Sequence, residues 1–156
     1  MKNLYLKNVF IAAVISVSCG FTNLATAYYS IGGVIFDPAG NNANATDLAS
    51  VSCPDGTDHF SAAIQDTSPP VQGLLMSLHI LNENVPANTA YMATVTDGGS
   101  GDGMWSEIAS IYAGAGKYYI SADKTNAGSR VFTVGWDCRD VNNNSLQMTI
   151  NVLQVQ

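Results

Sequence analysis

The stretch Lys117–Cys138 constrains the fold of this chain more than any other. In its first half Tyr118, Ile120 and Ala122 share one side, with Tyr119 and Ser121 on the other. In its second half Phe132, Val134, Trp136 and Cys138 share one side. A period of two is that of an extended strand with one buried face. Between the runs, Asp123–Ser129 is polar and holds Asn126 and Gly128, residues that accept a left-handed backbone. The pattern predicts two strands joined by a turn, a hairpin whose inner face carries large apolar side chains and ends in a cysteine.

The start of the chain gives that cysteine its meaning. Residues 1–27 read as a signal peptide: Lys2 and Lys7 form a positive region, Val9–Val17 is a short apolar run, and Ala25-Thr26-Ala27 fits a cleavage site. The run is shorter than the ~20 residues a bilayer span requires. The expected mature domain is 28–156, exported to the periplasm or the exterior, with no membrane insertion once the signal is removed. A lipoprotein route would instead modify Cys19, but Ser16 stands where such signals favour leucine. Export leaves two cysteines, and an even count in an oxidising compartment implies a disulfide between Cys53 and Cys138. Closing so long a loop contributes up to about 4–5 kcal/mol in the chain-entropy model.

Only Lys117, Lys124, Arg130 and Arg139 are basic after residue 27, against all twelve acidic residues, a net charge of −8. Phosphate binding needs clustered Lys and Arg, so nucleic acid is not an expected partner. Anionic membrane surfaces are disfavoured for the same reason.

Elsewhere, short alternating runs are separated by turn signals such as Pro54-Asp55-Gly56 and Asp97–Gly103. Runs at Tyr28–Asp37, Ala49–Cys53, Phe60–Ile64, Val71–Leu81, Tyr91–Val95 and Ser145–Gln156 read as strands. Met104–Ala113 has Trp105, Ile108, Ala109 and Tyr112 at helical spacing, but it is short and flanked by glycine-rich turns, so it too reads as a strand. The expected fold is all-β: a single antiparallel β-sandwich of jelly-roll or immunoglobulin-like type, with about eight or nine strands and one disulfide.

Chemistry is sparse. The two histidines, His59 and His79, fall on the polar side of predicted strands and read as surface residues. There is no Gly-x-Ser-x-Gly elbow. Calcium, the one cofactor considered, would need oxygen ligands from loops, and three loops offer them: Asp97 with Asp102, Asp137 with Asp140 and Asn142–Asn144, and Asp37 with Asn41, Asn42 and Asp47. None has EF-hand spacing, and none is preferred. Tyr119, on the outer face of its strand, could join Tyr28, Tyr29 and Trp105 as an aromatic platform for a sugar or polymer. The candidate ligand surface is therefore Tyr119, Asp97, Asp102, Asp137 and Asp140, with no catalytic residue assigned.

The run Gly114-Ala115-Gly116-Lys117-Tyr118-Tyr119-Ile120-Ser121, followed by Val131-Phe132-Thr133-Val134, resembles the paired strand motifs of bacterial pre-peptidase C-terminal domains. Asp58-His59-Phe60 aligns loosely with their early strand. The resemblance covers about a third of the expected domain. It implies a secreted jelly-roll-like sandwich and, by analogy, a non-catalytic role. Some of those domains are similar to collagen-binding domains that take calcium, but their ligands have no match here. The leading expectation is a binding or structural module of the bacterial envelope or exterior, recognising a protein or glycan surface. The alternatives are a small hydrolase with acidic groups in the 97–103 and 137–144 loops, and a subunit that assembles through the strand Tyr28–Phe36.

Overall fold

A computed structural model describes residues 29–83 and 91–156. The expected leader and most of the loop expected at Asn82–Asn88 lie outside them. Among the described residues the chain forms ten strands: β1 (Tyr29–Phe36), β2 (Asp47–Cys53), β3 (His59–Asp66), β4 (Met76–Asn82), β5 (Met92–Thr96), β6 (Ala109–Ile111), β7 (Gly116–Lys124), β8 (Arg130–Arg139), β9 (Ser145–Leu146) and β10 (Thr149–Gln154). No helix among them is long and apolar enough to cross a membrane.

One sheet has the order β1-β8-β3-β6, with β9 also beside β8; the other runs β10-β2-β7-β4-β5. The first eight strands thus divide as 1-8-3-6 and 2-7-4-5. That alternation between two sheets is the double Greek key of a jelly roll. The last two strands are additions to it.

Lys117–Cys138 supplies two strands, as its alternation predicts, but not a hairpin. β7 pairs with β2 and β4, whereas β8 pairs with β1 and β3. The five residues Thr125–Ser129 carry the chain from one sheet to the other. A hairpin would have put both apolar faces on one side of one sheet. Crossing over puts Tyr118, Ile120 and Ala122 in one sheet and Phe132, Val134 and Trp136 in the other, all in a single core. Gly128 makes the crossing fit: its φ is 145°, and a Cβ there would stand 2.4 Å from the Leu74 side chain.

The two sheets are also joined covalently. Cys53 ends β2, Cys138 lies near the end of β8, and their Cα atoms are 5.6 Å apart across the bridge. Beside it Phe60 and Tyr118 stack at 4.8 Å. The Tyr118 hydroxyl donates to the Gly114 carbonyl at 2.6 Å, and burial pushes its phenol up to about 12.

Three expectations need correction. Of Met104–Ala113 only Ala109–Ile111 is a strand; Trp105 makes a single bridge to Gln65. Ile108 and Tyr112 are exposed while Ala109 and Ile111 are buried, so only a period-two fragment survives. Ser145–Gln156 is two strands rather than one, because Gln147 and Met148 carry the chain from beside β8 to beside β2. His59 is not a surface residue: it is buried, its Nδ1 lies 2.9 Å from Asp58, and its ring packs on Tyr112 at 4.7 Å.

Candidate functional site

The jelly-roll connections gather at the two ends of the sandwich. Residues 37–46, 67–75, 97–108 and 125–129 share one end; residues 54–58, 112–115 and 140–144 share the other. The first end is built on buried ion pairs. Lys124 Nζ donates to Asp37 at 2.5 Å and to the Gly128 carbonyl, and lies 5.3 Å from the Phe36 ring. Arg130 donates to Asp66 at 3.2 Å and to the Pro69 carbonyl at 2.9 Å.

The hydrogen bond from Lys124 holds the Asp37 carboxyl below the usual carboxylate range; the Asn42 and Asn41 N–H groups act the same way, against burial. A depressed folded pKa contributes stability above the unfolded value, and that stability is lost as pH falls through the folded one. Asp37→Asn is therefore expected to be less stable than the parent at neutral pH, with the gap closing in acid. Urea denaturation across that range tests this, and a gap independent of pH would refute it.

The Asp66 carboxylate also organises the long β5–β6 loop. It accepts the N–H of Gly101 at 3.1 Å and of Ser68 at 2.9 Å. The Asp97 carboxylate accepts the Asp66 N–H at 2.9 Å and the Gly99 N–H at 3.2 Å. Further bonds run from Ser106 N–H to the Ile64 carbonyl at 2.8 Å and from Gln65 Nε2 to the Gly103 carbonyl at 2.5 Å. Gly101, with φ 62°, passes so close to the Ser68 carbonyl that a Cβ would sit 2.1 Å from it. The loop is long, but it is stitched to β3 along its length.

Held this way, the loop forms a cleft of about 540 Å³ against the edge strand β5, lined by Thr94, Thr96, Asp102, Met104, Trp105 and Glu107, with Asp97 at its base. Met104 is 66% exposed and Trp105 45%. Asp102 accepts the Met104 N–H at 2.8 Å. Thr94 Oγ1 lies 3.0 Å from His79 Nδ1, whose other nitrogen meets Asp123 at 3.0 Å. An indole, a thioether, two exposed carboxylates and threonine hydroxyls thus face one concavity. Such a set can stack on an apolar ring face and accept hydrogen bonds from hydroxyl groups around it.

The candidate ligand residues do not converge. Asp97 and Asp102 belong to this cleft, but Asp97 is 2% exposed and serves as an anchor for the loop. Asp137 and Asp140 lie at the opposite end, near the start of β3. The eight-residue β3 separates the ends by about 23 Å. Asp137 is wholly buried: it pairs with Arg139 Nε at 3.0 Å and accepts from the Ser145 hydroxyl. Burial raises its pKa, with Ser145 and Arg139 opposing. Asp140 closes its own turn by accepting the Asn142 and Asn144 N–H groups at 2.9 and 2.8 Å. A hydrogen bond from the Asn144 side chain, with those two N–H groups, lowers its pKa against burial. Tyr119 is on the outer face of the β2–β7–β4 sheet, donating to Glu83 at 3.0 Å, which raises its pKa.

The three loops considered for calcium spend carboxylate oxygens on turn N–H groups or on Lys124. Among the described residues no three His, Cys, Asp or Glu side chains are grouped to hold a metal. The acidic loops invoked for a hydrolase stand at opposite ends, and His59 and His79 lie in different sheets. No protein-family model matches the chain, and a search of characterised proteins returns no match.

Nothing in the sequence singles out Thr94 and Thr96. Thr94 and Thr96 alternate with Ala93 and Val95, a pattern that marks an outward face but not what stands over it. Their place in the cleft depends on a loop that returns past β5.

Proposed function

We propose that this protein is an exported, non-catalytic binding module that takes a polyhydroxylated ligand, a glycan, in the β5–β6 cleft. The observation that carries the reading is Trp105: a large apolar ring, 45% exposed, on a loop anchored by buried hydrogen bonds and beside Asp102 and Glu107. An exposed indole on a loop so tied down suits ligand contact, since little backbone ordering is left for binding to impose. The acidity of the domain argues against nucleic acid as the ligand. The cleavable leader and the disulfide both suit export. The likeness to pre-peptidase C-terminal domains, which accompany secreted enzymes, points the same way.

The test is retention of the purified mature domain on cell-wall, polysaccharide and matrix polymers. Retention on a polysaccharide with a change in Trp105 emission is expected. Trp105→Ala should weaken it by about tenfold or more, as for an aromatic anchor worth above 1 kcal/mol. Failure to be retained on any polymer, or equal retention of Trp105→Ala, would count against the proposal.

A further inference from the structure

Charge is distributed unevenly around the β5–β6 cleft. Every basic residue after residue 27 is already paired: Lys117 with Glu83, Lys124 with Asp37, Arg130 with Asp66 and Arg139 with Asp137. The two histidines lie against Asp58 and Asp123. Among the described residues, the carboxylates without such a partner are Asp47, Asp55, Asp97, Asp102, Glu107 and Asp140. Asp97, Asp102 and Glu107 all line this one cleft, and the last two are exposed there. Among the described residues no Lys, Arg or His lines it.

The hydrogen-bonding capacity of the cleft is lopsided in the same sense. Thr94 is engaged with His79 and Thr96 with Ser77, and the Ser106 hydroxyl donates to the Glu107 carbonyl. No Asn or Gln side chain lines the cleft among the described residues. The side-chain capacity that remains is mostly carboxylate oxygen, which only accepts. A sugar hydroxyl both donates and accepts, so part of its capacity goes unanswered here. An ammonium group carries three donors and no acceptor. The exposed ring of Trp105 favours it as well, because the face of an indole attracts a cation.

We propose that the polymer taken by the β5–β6 cleft is an amino sugar bearing free amines, held by its ammonium groups between Asp102, Glu107 and the Trp105 ring. This rests on the reading of the cleft as a glycan site and adds the charge of the ligand to it.

The probes are the hexamers of glucosamine and of N-acetylglucosamine, which share a sugar backbone and differ in the charge on nitrogen. Titration calorimetry on the purified protein at about pH 5.5 keeps sugar amines charged and stays above the reference values of Asp and Glu. The free-amine hexamer is expected to bind about tenfold more tightly than the acetylated one. Glu107→Gln keeps the shape of the side chain and removes its charge, and should cut that ratio about threefold. Asp55→Asn removes the same charge from the turn between β2 and β3, at the other end of the sandwich, and should leave the ratio unchanged. Equal affinity, or a preference for the acetylated hexamer, overturns the inference and leaves the cleft as a site for a neutral sugar. A ratio that survives Glu107→Gln, or that falls as far with Asp55→Asn, overturns it by assigning the preference to the net charge of the domain. Binding of neither hexamer also overturns it, whereas the glycan reading falls only if the neutral polysaccharides fail to retain the protein too.

Discussion

Asp66→Ala is expected to destabilise the domain by about 3–5 kcal/mol, the usual cost of stripping the partner from a buried charge. Asp66 is fully buried and Arg130 is 2% exposed. Without the carboxylate, the guanidinium keeps only neutral acceptors, Pro69 and Ser100. The N–H groups of Ser68 and Gly101 lose their acceptor as well, and an unpaired buried donor costs about 1–3 kcal/mol. The midpoint of urea denaturation should fall at unchanged slope. Replacing both partners, Asp66→Leu with Arg130→Met, should recover much of the loss, because an apolar pair of similar volume is often neutral relative to a buried ion pair. A single variant within about 1 kcal/mol of the parent would show a solvated pair. The same substitution frees the loop that carries Trp105, so polysaccharide retention should weaken along with stability.

Removing the disulfide, by reduction or by Cys53→Ser with Cys138→Ser, is expected to cost up to about 4–5 kcal/mol. The bridge spans 85 positions of the chain, so its loss restores considerable freedom to the unfolded state. It also ties the end of β2 to the end of β8, and so holds together two sheets otherwise joined by loops and core packing. In a domain of this size the melting temperature should drop by about 10–20 °C. Calorimetry with and without reductant measures it, and coincident transitions would remove the bridge from the account of stability.

The alternation in the sequence identified inner faces well. Tyr118, Ile120, Phe132, Val134 and Trp136 are all buried where period two puts them. It could not say which strands pair, because a hairpin and a cross-sheet connection bury the same residues. The ion pairs were partly legible. Lys124 continues the inward series of Tyr118, Ile120 and Ala122, and Arg130 opens that of Phe132, Val134 and Trp136. Charges in inward positions signal buried partners, but Asp37 and Asp66 come from distant strands and could not be matched to them by spacing. The aspartates misled in the other direction. In turns rich in glycine or asparagine Asp97, Asp102 and Asp140 look available to a ligand, yet each accepts the N–H groups of its own loop. Composition does not distinguish a carboxylate that shapes a turn from one that faces solvent. Trp105 stood out as an aromatic; the concavity beside it comes from the path of a loop that hydrogen bonds to β3 dictate.

The strand order also bears on how the polypeptide acquires its shape as it is made. β1 waits for β8, and β2 for β7 and β10, so the earliest strands to emerge stay unpartnered until most of the chain has been synthesised. Only β4 with β5, and β8 with β9, pair with a direct sequence neighbour. Such non-local pairing makes folding slow. A chain that stays open until its last third appears presents unpaired strand edges to its surroundings while it is being made.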